Sequence, residues 1–193
     1  MADLDFGTYH HTTPEDSERL REYAEEAFSK LLRPLYTTGA ALRILDAGCG
    51  LGFLMSVAAK CFPKATITGV DLFKRGSMSG ISLGRAESNM KTLGIDSRTS
   101  FLQHDLAKPL KSDAEYDLAI SNLVFHNLGK NRFKGYENIF GALKARGYFV
   151  IGDLFPRGKT DPDYLRQRST LIDELDQGRS GRWRYQIKVL RKV

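Results

Sequence analysis

The amino-acid sequence predicts an α/β domain in which a largely parallel twisted sheet carries helices on both faces. Short apolar runs alternate along the chain with stretches whose apolar residues recur every three or four positions, a pattern typical of β-α units that feed a parallel sheet. The apolar runs are nearly continuous, as expected of strands buried on both sides. The 193 residues, of which 41% are hydrophobic, suffice for one such domain with a sizeable core.

The first predicted element is an N-terminal helix from Thr13 to Leu35. Its apolar residues form one stripe at three- and four-residue spacing, namely Leu20, Tyr23, Ala24, Ala27, Phe28, Leu31 and Leu32. Thr13 is suited to cap this helix, with Pro14 at the first helical position and Asp16 three residues after the cap. The stretch from Pro34 to Gly39 ends it.

Strands and helices then alternate. The predicted strands are Leu42–Ala47, Thr66–Leu72, Ser100–His104, Tyr116–Ser121 and Tyr148–Leu154. The helices between them are predicted at Gly52–Cys61, Ser77–Leu93 and Arg132–Lys144. A further helix, Asp161–Leu175, and a single strand, Arg184–Leu190, complete the pattern. We therefore expect one domain over residues 1–193, with an arm and helix at 1–40, a core at 41–155, and a C-terminal helix and closing strand at 156–193.

Composition argues against several classes of protein. No run approaches the ~18 apolar residues of a membrane helix, and the N-terminus lacks the basic start and apolar run of a signal peptide, so the sequence predicts a cytoplasmic protein. Cys49 and Cys61 lack the spacing of a zinc site or a disulfide framework and are expected to be reduced thiols.

The charge distribution leaves a nucleic-acid partner open. The net charge of +6 permits an anionic partner without requiring one. Six basic residues and no acid lie between Arg179 and Val193, which indicates either a solvated face of the closing strand or contact with nucleic acid. Trp183 and Tyr185 in this tail would stack on a nucleobase in the second case and pack on the sheet edge in the first.

The strongest local signal is a glycine-rich turn at the end of the first strand. The run Asp46-Ala47-Gly48-Cys49-Gly50-Leu51-Gly52 leads from a buried strand into a helix, and its glycines allow a ligand to approach the backbone closely. Two further acids lie at strand ends, Asp71 near the end of the second predicted strand and Asp105 directly after the third. Because the carboxyl ends of parallel strands line one crevice, Asp46, Asp71 and Asp105 are expected to converge there. Each also has a simpler interpretation as a helix cap or turn residue.

These motifs resemble the class I S-adenosylmethionine-dependent methyltransferases over roughly residues 40–155. The resemblance implies a Rossmann-like fold with S-adenosylmethionine as cofactor, and it implies a role for nine residues. Gly48, Cys49 and Gly50 form the cofactor turn preceded by Asp46, Asp71 with the adjacent Leu72 binds the ribose, Asp105 and Leu106 flank the adenine, and Asn122 contacts the methionine end or simply caps its strand. A nicotinamide dehydrogenase is the nearest rival, but its fingerprint requires glycine where the chain has Phe53.

The methyl acceptor is expected between two segments, Tyr9–His11 and Asn122–His126. His126 is a candidate general base, since the ordinary pKa of histidine suits proton removal at neutral pH. Tyr9 and His10 are candidates in the N-terminal segment, which otherwise is a solvated terminal arm. The chain has Leu123-Val124 where methyltransferases acting on adenine amines have Pro-Pro, so methylation of base N6 is disfavoured.

The resemblance, which is to the ubiquinone- and menaquinone-biosynthesis type of methyltransferase, implies transfer of the methyl group to a small molecule without a metal. An RNA methyltransferase and a catalytically silent methyltransferase-like partner subunit remain alternatives. No membrane partner is expected, and the chain would be a monomer or a homodimer. The family normally has a pair of strands where only Arg184–Leu190 is predicted here, so a modified sheet edge, or dimerisation through it, is expected.

Overall fold

The computed structural model describes residues 4–74, 78–110, 115–156, 160–180 and 183–193. Within them one sheet contains β1 (Arg43–Ala47), β2 (Thr66–Asp71), β3 (Thr99–Gln103), β4 (Tyr116–Asn122), β5 (Leu143–Pro156), β6 (Ser169–Ser180) and β7 (Trp183–Lys192). The strand order is β3-β2-β1-β4-β5-β7-β6. The first five strands are parallel, whereas β7 runs antiparallel to both β5 and β6. The prediction of a largely parallel sheet is confirmed.

Helices cover both faces of the sheet, as predicted. The helices are α1 (Pro14–Leu32), α2 (Phe53–Cys61), α3 (Leu83–Thr92), α4 (Arg132–Ala142) and α5 (Thr160–Arg166), with short 3-10 helices at Asp96–Arg98 and Phe125–Asn131. One apolar core lies under α1 and α2 and includes Met90 of α3. The core on the opposite face lies under α4 and includes Leu165 of α5.

The start of α1 follows its sequence closely. The Thr13 side chain accepts a hydrogen bond from the Asp16 amide at 3.1 Å, and Pro14 occupies the first helical position, where no amide donor is needed. Ala24, Phe28 and Leu32 on the predicted stripe are buried. This anchors the helix on the sheet and fixes where the preceding arm leaves it.

The parallel register brings the carboxyl ends of the central strands to one edge. Asp46 pairs with Gly69 of β2 and with Ile120 of β4, while Asp71 pairs with Gln103 of β3. Segments that leave these strands therefore open into the same crevice, as the sequence predicted.

The C-terminal prediction is wrong in one respect. The expected helix Asp161–Leu175 is limited to α5, and the following residues form β6, so two strands close the sheet instead of one. The β-branched and aliphatic residues at the start of β6 suit a strand, and β7 supplies the antiparallel partner, for example Leu175 opposite Ile187. Because β7 lies between β5 and β6, Tyr185 is inside the sheet and not at its edge.

The predicted helix Ser77–Leu93 is shorter than expected. The structure begins α3 at Leu83, where Ser82 caps the helix by accepting a hydrogen bond from the Arg85 amide at 3.3 Å. Ser77 lies outside the described residues.

The basic tail pairs with acids inside its own hairpin. Arg184 forms an ion pair with Asp176, and Lys188 forms one with Glu174. Lys192 donates to the carbonyl oxygen of Leu143 at 2.7 Å. These contacts favour the interpretation of the tail as a strand face. Among the described residues, no helix has the length and apolarity needed to span a membrane.

Candidate active site

A cleft of about 400 Å³ lies at the carboxyl ends of β1 to β4. Its walls come from the turn after β1, the segments after β2, β3 and β4, and the N-terminal arm (residues 4–12). The predicted site residues that line it are Tyr9, Gly48, Gly50, Asp71, Leu72, Asp105, Leu106 and Asn122. The volume falls in the range of small-molecule sites, so the cleft is the candidate active site.

The turn after β1 requires its glycines. Gly48, Gly50 and Gly52 have φ angles of 79°, 53° and 88°, in the left-handed region that favours glycine. A Cβ atom on Gly48 would lie 2.3 Å from Cγ2 of Val124, so the segment after β4 packs directly on the turn. The Gly48 amide donates to the carbonyl oxygen of Val70 at 2.7 Å, which ties the turn to the end of β2.

Asp71 is held by two backbone amides. Its Oδ2 accepts from Gly50 at 3.0 Å and its Oδ1 accepts from Phe73 at 2.9 Å. Each carboxylate oxygen retains a second lone pair for a ligand. Because Asp71 lines the cleft, this fixed carboxylate can accept from two neighbouring hydroxyl groups.

The end of the cleft that is formed by the segments after β2 and β3 combines polar and apolar groups. Oδ1 of Asp105 accepts from the Ala107 amide at 2.9 Å, which fixes the carboxylate after β3. Leu106 is buried, whereas Leu72 is 39% exposed, and both line the cleft. An exposed leucine beside a buried one provides apolar surface for a flat ring.

Asp46 lies behind the turn and outside the cleft lining. It is 1% exposed, and its Oδ2 has no hydrogen-bond partner among the described residues. Burial raises the pKa of Asp46 well above its ordinary value, and the charge of Asp71 adds to the shift. The unpaired oxygen is a place where a polar ligand or a water would compensate a buried acceptor.

Cys49 also lies behind the turn. Its side chain is buried and does not line the cleft, so it can meet a ligand only through its backbone. Burial raises the pKa of the Cys49 thiol well above its ordinary value, and the charges of Asp46 and Asp71 add to this. The thiol is therefore not activated as a nucleophile.

The arm is packed against the body of the protein. Tyr9 forms a β-bridge with Met78, and its amide donates to Oγ of Ser17 at 3.0 Å. Arg21 donates to the carbonyl oxygen of Gly7 at 2.8 Å and lies over the Tyr9 ring. Burial raises the pKa of Tyr9 above its ordinary value, so its hydroxyl is neutral and can donate a hydrogen bond in the cleft.

His10 lies outside the cleft. Its ring contacts that of His11, with centroids 3.9 Å apart and planes inclined by 48°, in an open groove formed by residues 8–12 and 78–80. The groove adjoins the cleft, because Tyr9 and Met78 line both.

His126 is not among the residues that line the cleft, although Asn122, Val124 and Asn127 around it are. Its Nδ1 lies 2.5 Å from Oδ1 of Asp153, and its side chain is 20% exposed. Asp153 is buried, and its Oδ2 accepts from the Phe125 amide at 2.7 Å. The sequence interpretation missed Asp153, although an acid near the end of an apolar strand was the signal used for Asp46, Asp71 and Asp105.

The sequence pattern of a family described as a methyltransferase domain matches residues 39–179. The malonyl-[acyl-carrier protein] O-methyltransferase of Bacillus cereus is 32% identical to this chain over 121 residues, which cover 63% of this chain and 40% of that protein. The release factor glutamine methyltransferase of Rhodopirellula baltica is 33% identical over 109 residues, covering 56% of this chain and 34% of that protein. The matched region thus spans well under half of these curated relatives.

Solved structures share the architecture at low sequence identity. The N-methyltransferase NodS from Bradyrhizobium japonicum WM9, in complex with S-adenosyl-L-homocysteine, superposes with a TM-score of 0.68 at 20% identity, covering 93% of each chain. Geranyl diphosphate C-methyltransferase from Streptomyces coelicolor A3(2) superposes with a TM-score of 0.70 at 15% identity, covering 100% of this chain and 90% of that one. At these identities the likeness shows the fold alone.

Proposed function

The chain belongs to the methyltransferase domain family, and from this premise we propose that it binds S-adenosylmethionine in the cleft and methylates a small acceptor. Membership confirms the family predicted from the sequence, and the superpositions confirm the Rossmann-like fold. The cofactor site and the acceptor are our proposals, and the geometry of the cleft supports them.

The observation that carries the proposal is the fixed carboxylate of Asp71. Two amides hold it in the cleft with a lone pair free on each oxygen, which suits the adjacent hydroxyls of a ribose. Asp105 and Leu106 would then hold the adenine by one hydrogen bond and by packing. The backbone of Gly48, Cys49 and Gly50 would follow the rest of the cofactor, with the unpaired Oδ2 of Asp46 behind it.

Methyl transfer requires the protein mainly to place the acceptor next to the methyl group. When bound, the cofactor supplies an electrophilic methyl group with a neutral thioether leaving group, so no metal is required. The chain's part is to align the acceptor and exclude water. Tyr9 covers the cleft from the arm and offers a neutral hydroxyl donor, and Val124 and Leu128 provide apolar walls near Asn122.

We propose a carboxylate oxygen as the acceptor atom. The names of several relatives favour it, since they are O-methyltransferases of a malonyl group on an acyl-carrier protein. A carboxyl group of ordinary pKa, about 4, is ionised at neutral pH and attacks without a base. A hydroxyl or acidic carbon would need one, and the His126–Asp153 pair could supply it by donating Nδ1–H to Asp153 and accepting a proton at Nε2.

Transfer of a labelled methyl group tests this proposal. The protein is incubated with S-adenosylmethionine labelled in the methyl group and with malonyl thioesters or pooled metabolites, and the labelled product is identified by mass spectrometry. A methyl ester whose formation is changed less than about threefold by His126→Gln is expected, since no proton must be removed. Loss of turnover in that variant would instead point to a hydroxyl or carbon acceptor.

Two alternatives have their own tests. An RNA methyltransferase loses support because Arg184 and Lys188 pair with acids of β6, and it would return if RNA bound with a steep salt dependence. A catalytically silent partner subunit would show no heat of binding with S-adenosylhomocysteine in calorimetry.

A further inference from the structure

A tyrosine of the C-terminal hairpin reaches into the wall of the cleft. Tyr185 on β7 donates a hydrogen bond from its hydroxyl to Oδ1 of Asn122, at the end of β4, over 2.8 Å. β5 lies between these two strands, so they are two strand spacings, about 10 Å, apart. The tyrosine side chain therefore crosses over β5.

The crossing depends on a glycine. Gly152 of β5 pairs with Asn122 on one side and with Ile187 of β7 on the other. A Cβ atom on Gly152 would lie 2.8 Å from the Tyr185 hydroxyl oxygen and 2.9 Å from Oδ1 of Asn122. Any side chain at this position would displace Tyr185 and Asn122, so their hydrogen bond requires glycine here.

The contact determines what Asn122 offers to a ligand. Burial raises the pKa of Tyr185 well above its ordinary value, so the hydroxyl keeps its proton and donates it. Oδ1 of Asn122 accepts this hydrogen bond, which fixes the orientation of the side-chain amide. Within the described residues no hydrogen bond is made by Nδ2, and Asn122 lines the cleft beside Gly48 and Tyr9. Nδ2 is therefore a fixed amide donor that a ligand can use.

We propose that Tyr185 is a positioning residue, which holds the Asn122 amide so that Nδ2 donates to the carboxylate at the aminoacyl end of the cofactor. This inference rests on the proposed function. With the adenosine assigned to Asp71 and Asp105, the aminoacyl end lies toward Gly48 and Asn122, and its carboxylate is the strong hydrogen-bond acceptor there. A carboxylate of the methyl acceptor has the same chemistry, and the choice of ligands below separates the two.

Two cofactor fragments measure the contribution of the aminoacyl end. S-adenosylhomocysteine carries the carboxylate, whereas 5′-methylthioadenosine keeps the adenosine and lacks the aminoacyl group. Calorimetry of the full chain is expected to show that Tyr185→Phe weakens S-adenosylhomocysteine binding about fivefold, since one orienting hydrogen bond is lost. Asn122→Asp should weaken it by at least about tenfold, because a carboxylate would then face a carboxylate. Binding of 5′-methylthioadenosine should change less than about twofold in both.

Tyr36→Phe is the matched control. It removes another partly buried tyrosine hydroxyl, which donates to the carbonyl oxygen of Asp117 at 2.9 Å. Asp117 lies at the start of β4, away from the cleft, so neither affinity should change. Equal loss for both ligands in Tyr185→Phe would reveal a merely structural role and overturn the inference. So would unchanged S-adenosylhomocysteine affinity, including the case in which only the KM of the acceptor rises.

The proposed function fails separately from this inference. If the wild-type chain binds neither ligand, or if Asp71→Ala binds S-adenosylhomocysteine as tightly as the wild type, the cofactor site itself is misplaced. If Asp71→Ala weakens both ligands while Tyr185→Phe leaves them unchanged, only the positioning role of Tyr185 is wrong.

Discussion

The two ends of the cleft are built in different ways. At the Asp71 end (Asp71, Leu72, Asp105 and Leu106) the residues lie at or just after the ends of β2 and β3, and backbone amides hold the carboxylates. At the Asn122 end (Tyr9, Asn122 and Val124) the residues come from the arm, from the end of β4 and from the segment after it. The contact that orients Asn122 comes from a residue 63 positions away. Local backbone thus shapes the first end and tertiary packing shapes the second. We expect substitutions at the Asp71 end to weaken every ligand that carries the adenosine, whereas those at the Asn122 end should weaken only ligands with the aminoacyl group or slow turnover.

The largest effect is expected at the turn that joins the two ends. Gly50→Val places a β-branched residue at a φ of 53° and disturbs the amide that donates to Asp71. Calorimetry with S-adenosylhomocysteine should show a loss on the order of 100-fold. The fold should survive, since the nearest atom to the new Cβ is the flexible end of Met78, at 3.3 Å. Gly84→Val, with no atom within 4 Å, is the control, and wild-type affinity in Gly50→Val would place the cofactor elsewhere.

The next effect isolates the Asp71 end. Asp71→Ala removes a carboxylate proposed to accept two hydroxyls and should weaken S-adenosylhomocysteine by about 30-fold, or about 2 kcal/mol. Asp117→Ala is the matched control, because Asp117 accepts from the Arg43 amide at 2.8 Å and from Lys144 at 2.6 Å on the opposite edge of the sheet. Equal affinity of Asp71→Ala and the wild type in calorimetry would end the assignment of the ribose contact.

The arm tests the Asn122 end. A variant lacking residues 1–11 loses Tyr9 from the cleft wall and should turn over at least about tenfold more slowly, while S-adenosylhomocysteine affinity falls less than about threefold. Labelled methyl transfer and calorimetry measure the two quantities. Because Ser17 and Arg21 lose their contacts with Tyr9 and Gly7, the melting temperature should be recorded as well. Full activity without the arm would show that it does not close the acceptor pocket.

The last prediction concerns the free energy of unfolding and its dependence on Asp46, which is buried behind the turn. The pKa of Asp46 is higher in the folded chain than its ordinary value of 3.8, so its contribution to stability is lost as the pH rises from that value through the folded-state pKa. The asparagine of Asp46→Asn does not ionise, so this variant does not lose stability in this way as the pH rises. Its free energy of unfolding should therefore gain on that of the wild type as the pH rises above about 4, in denaturant titrations without ligand. A difference independent of pH would contradict the buried, unpaired carboxylate.

Sequence reasoning located the Asp71 end because its residues need only a strand, a turn and a carboxylate. The convergence of Asp71 and Asp105 follows from parallel strands, whatever the rest of the fold does. It named Tyr185 only as a residue that stacks on a nucleobase or packs on the sheet edge. The contact of Tyr185 with Asn122 depends on Gly152 and on the position of β7 next to β5. No feature of the sequence around Tyr185 reports a partner two strands away. Asp153 could have been predicted, because it too is an acid near the end of an apolar strand.

The fold shows the same division. The five parallel strands and α1 were predictable because each has a local apolar period and a clear boundary. The segment from Asp161 to Leu175 carries helix and strand features together, and pairing with β7 decides between them. The wrong helix also led to the wrong number of closing strands. Such a decision comes from tertiary contacts, which a single sequence does not display.

The position of β7 also constrains the order in which the sheet assembles. β6 precedes β7 in the chain, yet its neighbour in the sheet is β7, which separates it from β5. β6 therefore has no place in the sheet until the last strand has been synthesised and has paired. The five parallel strands can gather first, and the hairpin joins as one unit in a late step that pairs Leu190 with Phe149 and Tyr185 with Leu154. We therefore expect the wall of the cleft around Asn122 to be completed late in folding.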